Sequence, residues 1–147
     1  MLAYVFWHRP APDVERAAYE ERLRAFHARL GVASAAFRLH ALPWRHEDGY
    51  EDWYLVEDWT ALGELNARAV KAAGDQHDRA ARLAAEGWAG VWRLVDGRPE
   101  PPGAVRWQAE APPAGTPHWR RQMTLGPAPQ HCLVLGGAEQ PGRVRIL

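Results

Sequence analysis

The chain has 147 residues, in which 18 Lys and Arg balance 18 Asp and Glu for a formal net charge of zero. That balance argues against a polyanionic partner such as nucleic acid, and no apolar run approaches the roughly 18 residues that a membrane-spanning helix needs. The length corresponds to one domain, with or without an appendage, and is enough to bury a core.

Leu2–Pro10, LAYVFWHRP, reads as a strand with both faces filled. Ala3, Val5 and Trp7 share one side, and Tyr4, Phe6 and His8 the other. A half-solvated strand alternates apolar and polar residues, so a strand apolar on both faces is expected at the centre of a sheet. Asp13 is placed to cap a helix over about 14–30, whose stripe is Tyr19, Leu23, Phe26 and Leu30 and whose stop is Gly31. His27 sits at the margin of that stripe. The run 34–44 predicts a second strand, with Ala35, Phe37, Leu39 and Ala41 on one face and Arg38, His40, Leu42 and Trp44 on the other. After the charged loop RHEDG, 50–59 predicts a third strand paired with it as a hairpin.

Thr60 is read as the cap of a second helix carrying Leu62, Leu65 and Ala69, re-capped near Gly74-Asp75 and stopped at Gly87. Residues 88–96 predict a fourth strand. The proline-rich stretch 98–103 then reads as a linker. Beyond it, 105–109, 120–125, 132–135 and 143–147 are expected as short strands separated by Gly- and Pro-rich turns. The division is a domain over 1–97 and an extension over 98–147, packed on the domain or on a partner subunit.

The order β-α-β-β-α-β over the first domain is the ferredoxin-like, split βαβ plan, an α+β fold with an antiparallel sheet and both helices on one face. With few polar positions on either face of the strands, the second sheet face needs a cover, and a second copy of the chain is the simplest one. Residues 2–96 resemble, in topology, length and strand character, the dimeric α+β barrel superfamily, which includes antibiotic-biosynthesis-type monooxygenases and stress-responsive barrel proteins. The resemblance implies a homodimer with a ligand pocket between sheet and helices or in the barrel lumen. In the monooxygenase branch it implies an asparagine on the first strand acting with a tryptophan and a histidine. Here that strand has no asparagine, while Trp59 and His77 are candidates for the other two places.

Recognisable catalytic motifs are lacking. Ser34 is the only serine and has no G-x-S-x-G elbow. Cys132 follows His131 on a strand, where neighbours point to opposite faces. A single cysteine forms no internal disulfide and suits a reducing compartment. With no signal-peptide pattern at the N-terminus, a cytoplasmic location is expected. The seven histidines show neither H-x-H nor H-E-x-x-H spacing, so no metal or other cofactor is expected. What remains is a group of ionisable residues in apolar strands: His8, Arg38, His40, Glu57 and Arg93. Buried charges must pair, meet water or contact a ligand.

The expected function is therefore small-molecule binding in a pocket of aromatic and basic side chains. Its candidate catalytic residues are His8, His40 and His77, with Tyr4, Phe6, Arg38, Trp59 and Trp92 as candidate ligand contacts. Tyr4, Phe6 and His8 are expected to face a lumen, and Ala3 and Val5 the helices. The alternative is a cofactor-independent monooxygenase, isomerase or cyclase acting on an aromatic or polyketide-like molecule, with haem degradation a weaker option.

Overall fold

The computed structural model of the chain describes residues 1–137 and 140–147, and the side chains of all of these except 72–83. Its elements are β1 (Leu2–Pro10), α1 (Arg16–Leu30), β2 (Ser34–Leu39), β3 (Gly49–Val56), α2 (Trp59–Leu83) and β4 (Ala84–Asp96). Four strands follow: β5 (Val105–Gln108), β6 (His118–Leu125), β7 (His131–Val134) and β8 (Arg143–Arg145). The Glu15 carboxylate caps α1, accepting from the Ala17 and Ala18 N–H groups at 3.0 and 2.8 Å. The helix ends at Gly31, whose φ of 64° is left-handed and suits glycine. Asp58, rather than Thr60, caps α2 by accepting from the Ala61 N–H at 2.9 Å.

All eight strands form one antiparallel sheet in the order β5-β7-β6-β4-β1-β3-β2-β8, curled into a half-barrel. This corrects the expected ferredoxin-like α+β barrel with an appended extension. Residues after 103 supply strands to both margins of the sheet: β6, β7 and β5 beyond β4, and β8 beyond β2. The architecture is thus a mostly β half-barrel with two helices, and the late strands belong to its main sheet. Two register shifts in the β4–β6 pairing, between Val91 and Trp92 and between Leu94 and Asp96, add the local bend that such curling needs.

The curl also corrects the assignment of faces. Leu2, Val56 and Val91 pack with Leu30 of α1 and Leu65 of α2, and Tyr4 and Phe26 join them. The helix-covered face of β1 is therefore the one carrying Leu2, Tyr4, Phe6 and His8. The opposite face carries Ala3, Val5 and Trp7, and seven of the eight tryptophans gather there: Trp7, Trp44, Trp53, Trp88, Trp92, Trp107 and Trp119. Trp7 meets Trp44, Trp92 and Trp107 edge-on at 5.1, 5.4 and 4.9 Å between ring centroids, the tilted geometry that aromatic quadrupoles favour. Gly90 leaves room for this packing, since a Cβ there would lie 2.5 Å from the Trp92 ring.

The second sheet face is thus covered by the chain's own C-terminal strands. The expectation of a second copy rested on that face being open, and it is filled from within. At its centre the Glu51 carboxylate, 1% exposed, accepts four hydrogen bonds. Trp7 and Trp107 Nε1–H donate to Oε2 at 2.9 and 3.0 Å, and Trp53 Nε1–H and Arg143 Nη2–H donate to Oε1, both at 2.6 Å. The Arg143 guanidinium lies 3.3 Å from the centroid of the Phe37 ring and donates from Nη1 to the Pro102 and Gly103 carbonyls, each at 3.0 Å. One carboxylate thereby ties β1, β3, β5 and β8 together, with the 98–103 stretch fastened to β8 through the same arginine.

Candidate functional site

The other face of the same strands carries the candidate site. β3 alternates side chains, so adjacent Glu51 and Asp52 point to opposite faces of the sheet. Asp52 is 2% exposed and lies opposite Phe6 in the β1–β3 register, two residues from the His8–Tyr50 pair. Its Oδ2 is 3.1 Å from His8 Nε2, 3.1 Å from the Tyr54 hydroxyl and 3.4 Å from His27 Nε2. The Tyr54 hydroxyl is also 3.0 Å from His27 Nε2. On its far side His8 Nδ1 lies 2.6 Å from the Tyr19 hydroxyl, which α1 delivers. The His8 ring stacks on Phe6 and on Tyr50, at 5.1 and 5.5 Å between centroids.

Charge assigns the protons. An ionised Asp52 only accepts, so His8 carries its hydrogen on Nε2 and Nδ1 is left to accept from Tyr19. The same reasoning puts the His27 hydrogen on Nε2, shared between Tyr54 and Asp52. Burial works to raise the Asp52 pKa, but the hydrogen bonds and electrostatic attraction of the His8 and His27 rings outweigh it and hold the carboxyl well below the usual range. Burial and the Asp52 charge push the Tyr19 and Tyr54 hydroxyls up, so both stay protonated and serve as donors. Asp52 Oδ1 and His27 Nδ1 are buried without a hydrogen-bond partner. A buried carboxylate oxygen left unpaired is costly.

That cavity, of about 630 Å³, lies between this sheet face and the two helices. Tyr4, Phe6, Tyr19, Phe26, Tyr54 and Trp59 supply its aromatic walls, and Leu23, Leu62, Leu65 and Val91 its aliphatic ones. His8, Asp52, Arg22 and Asn66 are polar residues of its lining. Trp59 and Met123 on its wall are 46% and 48% exposed. A volume of this size with mostly apolar walls and a few convergent polar groups is typical of small-molecule sites.

Of the residues singled out from the sequence, the structure brings His8, Tyr4, Phe6 and Trp59 together around this cavity. Arg38 lies outside it, half-buried and paired with Glu20 at 2.8 Å, where the Tyr50 hydroxyl also donates at 3.2 Å. Burial, then the Glu20 charge and hydrogen bond, raise the Tyr50 pKa to about 12. His40 is exposed just past the end of β2, beside Gly142, because the strand stops at Leu39 instead of running to Trp44. Trp92 is fully buried in the tryptophan cluster of the opposite face. The side chain of His77 lies outside the described residues.

Sequence reasoning passed over Asp52, Tyr19, His27 and Tyr54. The available signal was the pair of adjacent carboxylates inside the aromatic strand YEDWYL. Among the described residues, no three His, Cys, Asp or Glu are grouped to hold a metal ion, and no helix is long and apolar enough to cross a membrane. No family model, no curated protein and no solved structure matches this chain.

Proposed function

We propose that this protein binds a small, largely apolar molecule, with an aromatic ring and one carbonyl or phenolic oxygen, in the cavity between the helices and the sheet. The observation that carries the reading is the junction of two features: a roomy aromatic cavity and, on its wall, the buried Tyr19–His8–Asp52 cluster. Aromatic and aliphatic walls favour a flat apolar body through burial and edge or face contacts. Asn66 and Arg22 on the lining offer donors to a ligand oxygen, and the Tyr19 hydroxyl, its proton given to His8, offers an acceptor to a ligand hydroxyl.

The test is a thermal-shift screen of aromatic ketones and phenols against the wild type and Leu65→Trp. Leu65 is buried on the cavity wall, so an indole there occupies ligand space. Binders should raise the wild-type Tm and leave a folded Leu65→Trp variant unmoved. Equal shifts in both proteins would contradict the reading.

A further inference from the structure

We propose that Tyr19, His8 and Asp52 form a proton relay whose cavity end is the Tyr19 hydroxyl, and that the cavity's occupant is an enolisable aromatic ketone, turned over by removal and return of a proton. This rests on the ligand reading of the cavity given above. The relay order follows from the geometry. Tyr19 Oη–H donates to His8 Nδ1 at 2.6 Å, and His8 Nε2–H donates to Asp52 at 3.1 Å. His8 is 1% exposed and both its nitrogens are occupied, so it reaches a ligand only through Tyr19. With its proton turned towards His8, the Tyr19 oxygen presents lone pairs to whatever lies beside it. Tyr19 lines the cavity.

The chemistry balances without an outside reagent. A C–H beside the ketone carbonyl gives its proton to Tyr19 Oη as the tyrosine's own proton passes to His8 Nδ1. The C–H electron pair becomes the C=C bond of the enolate, and the carbonyl π pair moves onto oxygen. The imidazolium formed is held against Asp52, the same orientation of carboxylate, imidazole and hydroxyl that activates nucleophiles elsewhere. Return of the proton, to the same carbon or a conjugated one, gives exchange or isomerisation. Arg22 and Asn66 on the cavity wall are the donors for the enolate oxygen.

A merely structural network would leave a bound ketone unchanged, which makes the proposal testable. β-Tetralone, an aromatic ketone with activated C–H bonds, is mixed with the full-length protein in heavy water and followed by proton NMR. Line broadening of the ketone reports binding, and loss of the benzylic C–H signal reports exchange in the same sample. The wild type is expected to broaden the lines and to exchange faster than buffer. Tyr19→Phe keeps the ring, and is expected to retain broadening while exchange falls by about 100-fold, the usual scale for a positioned acid–base group. His8→Gln is the second variant, with the same expected loss, and His40→Ala should match the wild type. Binding with exchange at the buffer rate, or a folded Tyr19→Phe that exchanges like the wild type, overturns the relay. Absence of broadening with the wild type instead overturns the ligand class on which the relay rests.

Discussion

Glu51 and Asp52 are neighbours on one strand, both almost wholly buried, and they serve opposite faces of the sheet. Glu51 receives three indole N–H groups and an arginine, with donors on both oxygens. Asp52 receives two histidines and a tyrosine on a single oxygen, while the other oxygen has no partner. The first carboxylate is saturated and joins strands distant in sequence. The second is half-satisfied and borders a cavity. The contrast teaches that burial of a charge does not by itself mark a site. What distinguishes the second is an incomplete set of partners on a residue that lines a cavity.

The largest expected effect falls on the Glu51 face. Arg143→Ala leaves the Glu51 charge buried without its ion partner, a change that typically costs about 3–5 kcal/mol. In a domain of this size that corresponds to a fall in Tm of roughly 10–15 °C, readable by calorimetry. Trp107→Phe keeps most of the ring but deletes one indole donor to the carboxylate, and should cost about 1.5–3 kcal/mol in a urea titration. If either variant is as stable as the wild type, the staple role of Glu51 is wrong.

Asp52 is expected to matter less for stability and to do so in a pH-dependent way. Its folded pKa lies below the ordinary 3.8, so the stability it contributes is fully present above that value. That contribution is lost as pH falls below about 4 towards the depressed folded value. Asp52→Asn should therefore show a shallower acid loss of stability than the wild type in the range below pH 4. Parallel acid-unfolding curves for the two proteins would break the comparison.

These two carboxylates also show how far the chain could be read before its structure was known. The first six elements and the four short late strands were legible, because periodicity and Gly, Pro and Asp punctuation are local signals. Leu2–Pro10 was correctly a strand apolar on both sides, but that property left its direction undefined. With no polar face to orient it, a period of two cannot say which face meets the helices. The pairing of β6 on β4 and of β8 on β2 was hidden for a related reason: strand order is set by long-range fit, here by Trp7, Trp53, Trp107 and Arg143 converging on Glu51 and by Trp119 packing on Trp53. His8 stood out as an ionisable ring among aromatics. Its partner Tyr19, and the His27 that joins it at Asp52, come from α1, where an apolar stripe and its margin gave no hint of hydroxyl or imidazole chemistry.

Smaller effects belong to the cavity rim. Trp59 begins α2 with nearly half its surface in solvent, so Trp59→Ala should change stability by no more than about 0.5 kcal/mol. It should weaken binding of an aromatic ketone by about 0.5–1.5 kcal/mol, measured by titration calorimetry. His40→Ala, on an exposed turn away from both carboxylates, should leave stability and binding within about 0.5 kcal/mol of the wild type.

The comparison of the two faces is tested most directly by one titration. Indole N–H resonances of ¹⁵N-labelled protein, assigned by single tryptophan substitutions, are followed as β-tetralone is added. The Trp59 signal should move with saturation, while those of Trp7, Trp53 and Trp107, held by Glu51, stay in place. Movement of the three Glu51-bound indoles with Trp59 unmoved would put the ligand on the other face and contradict the account.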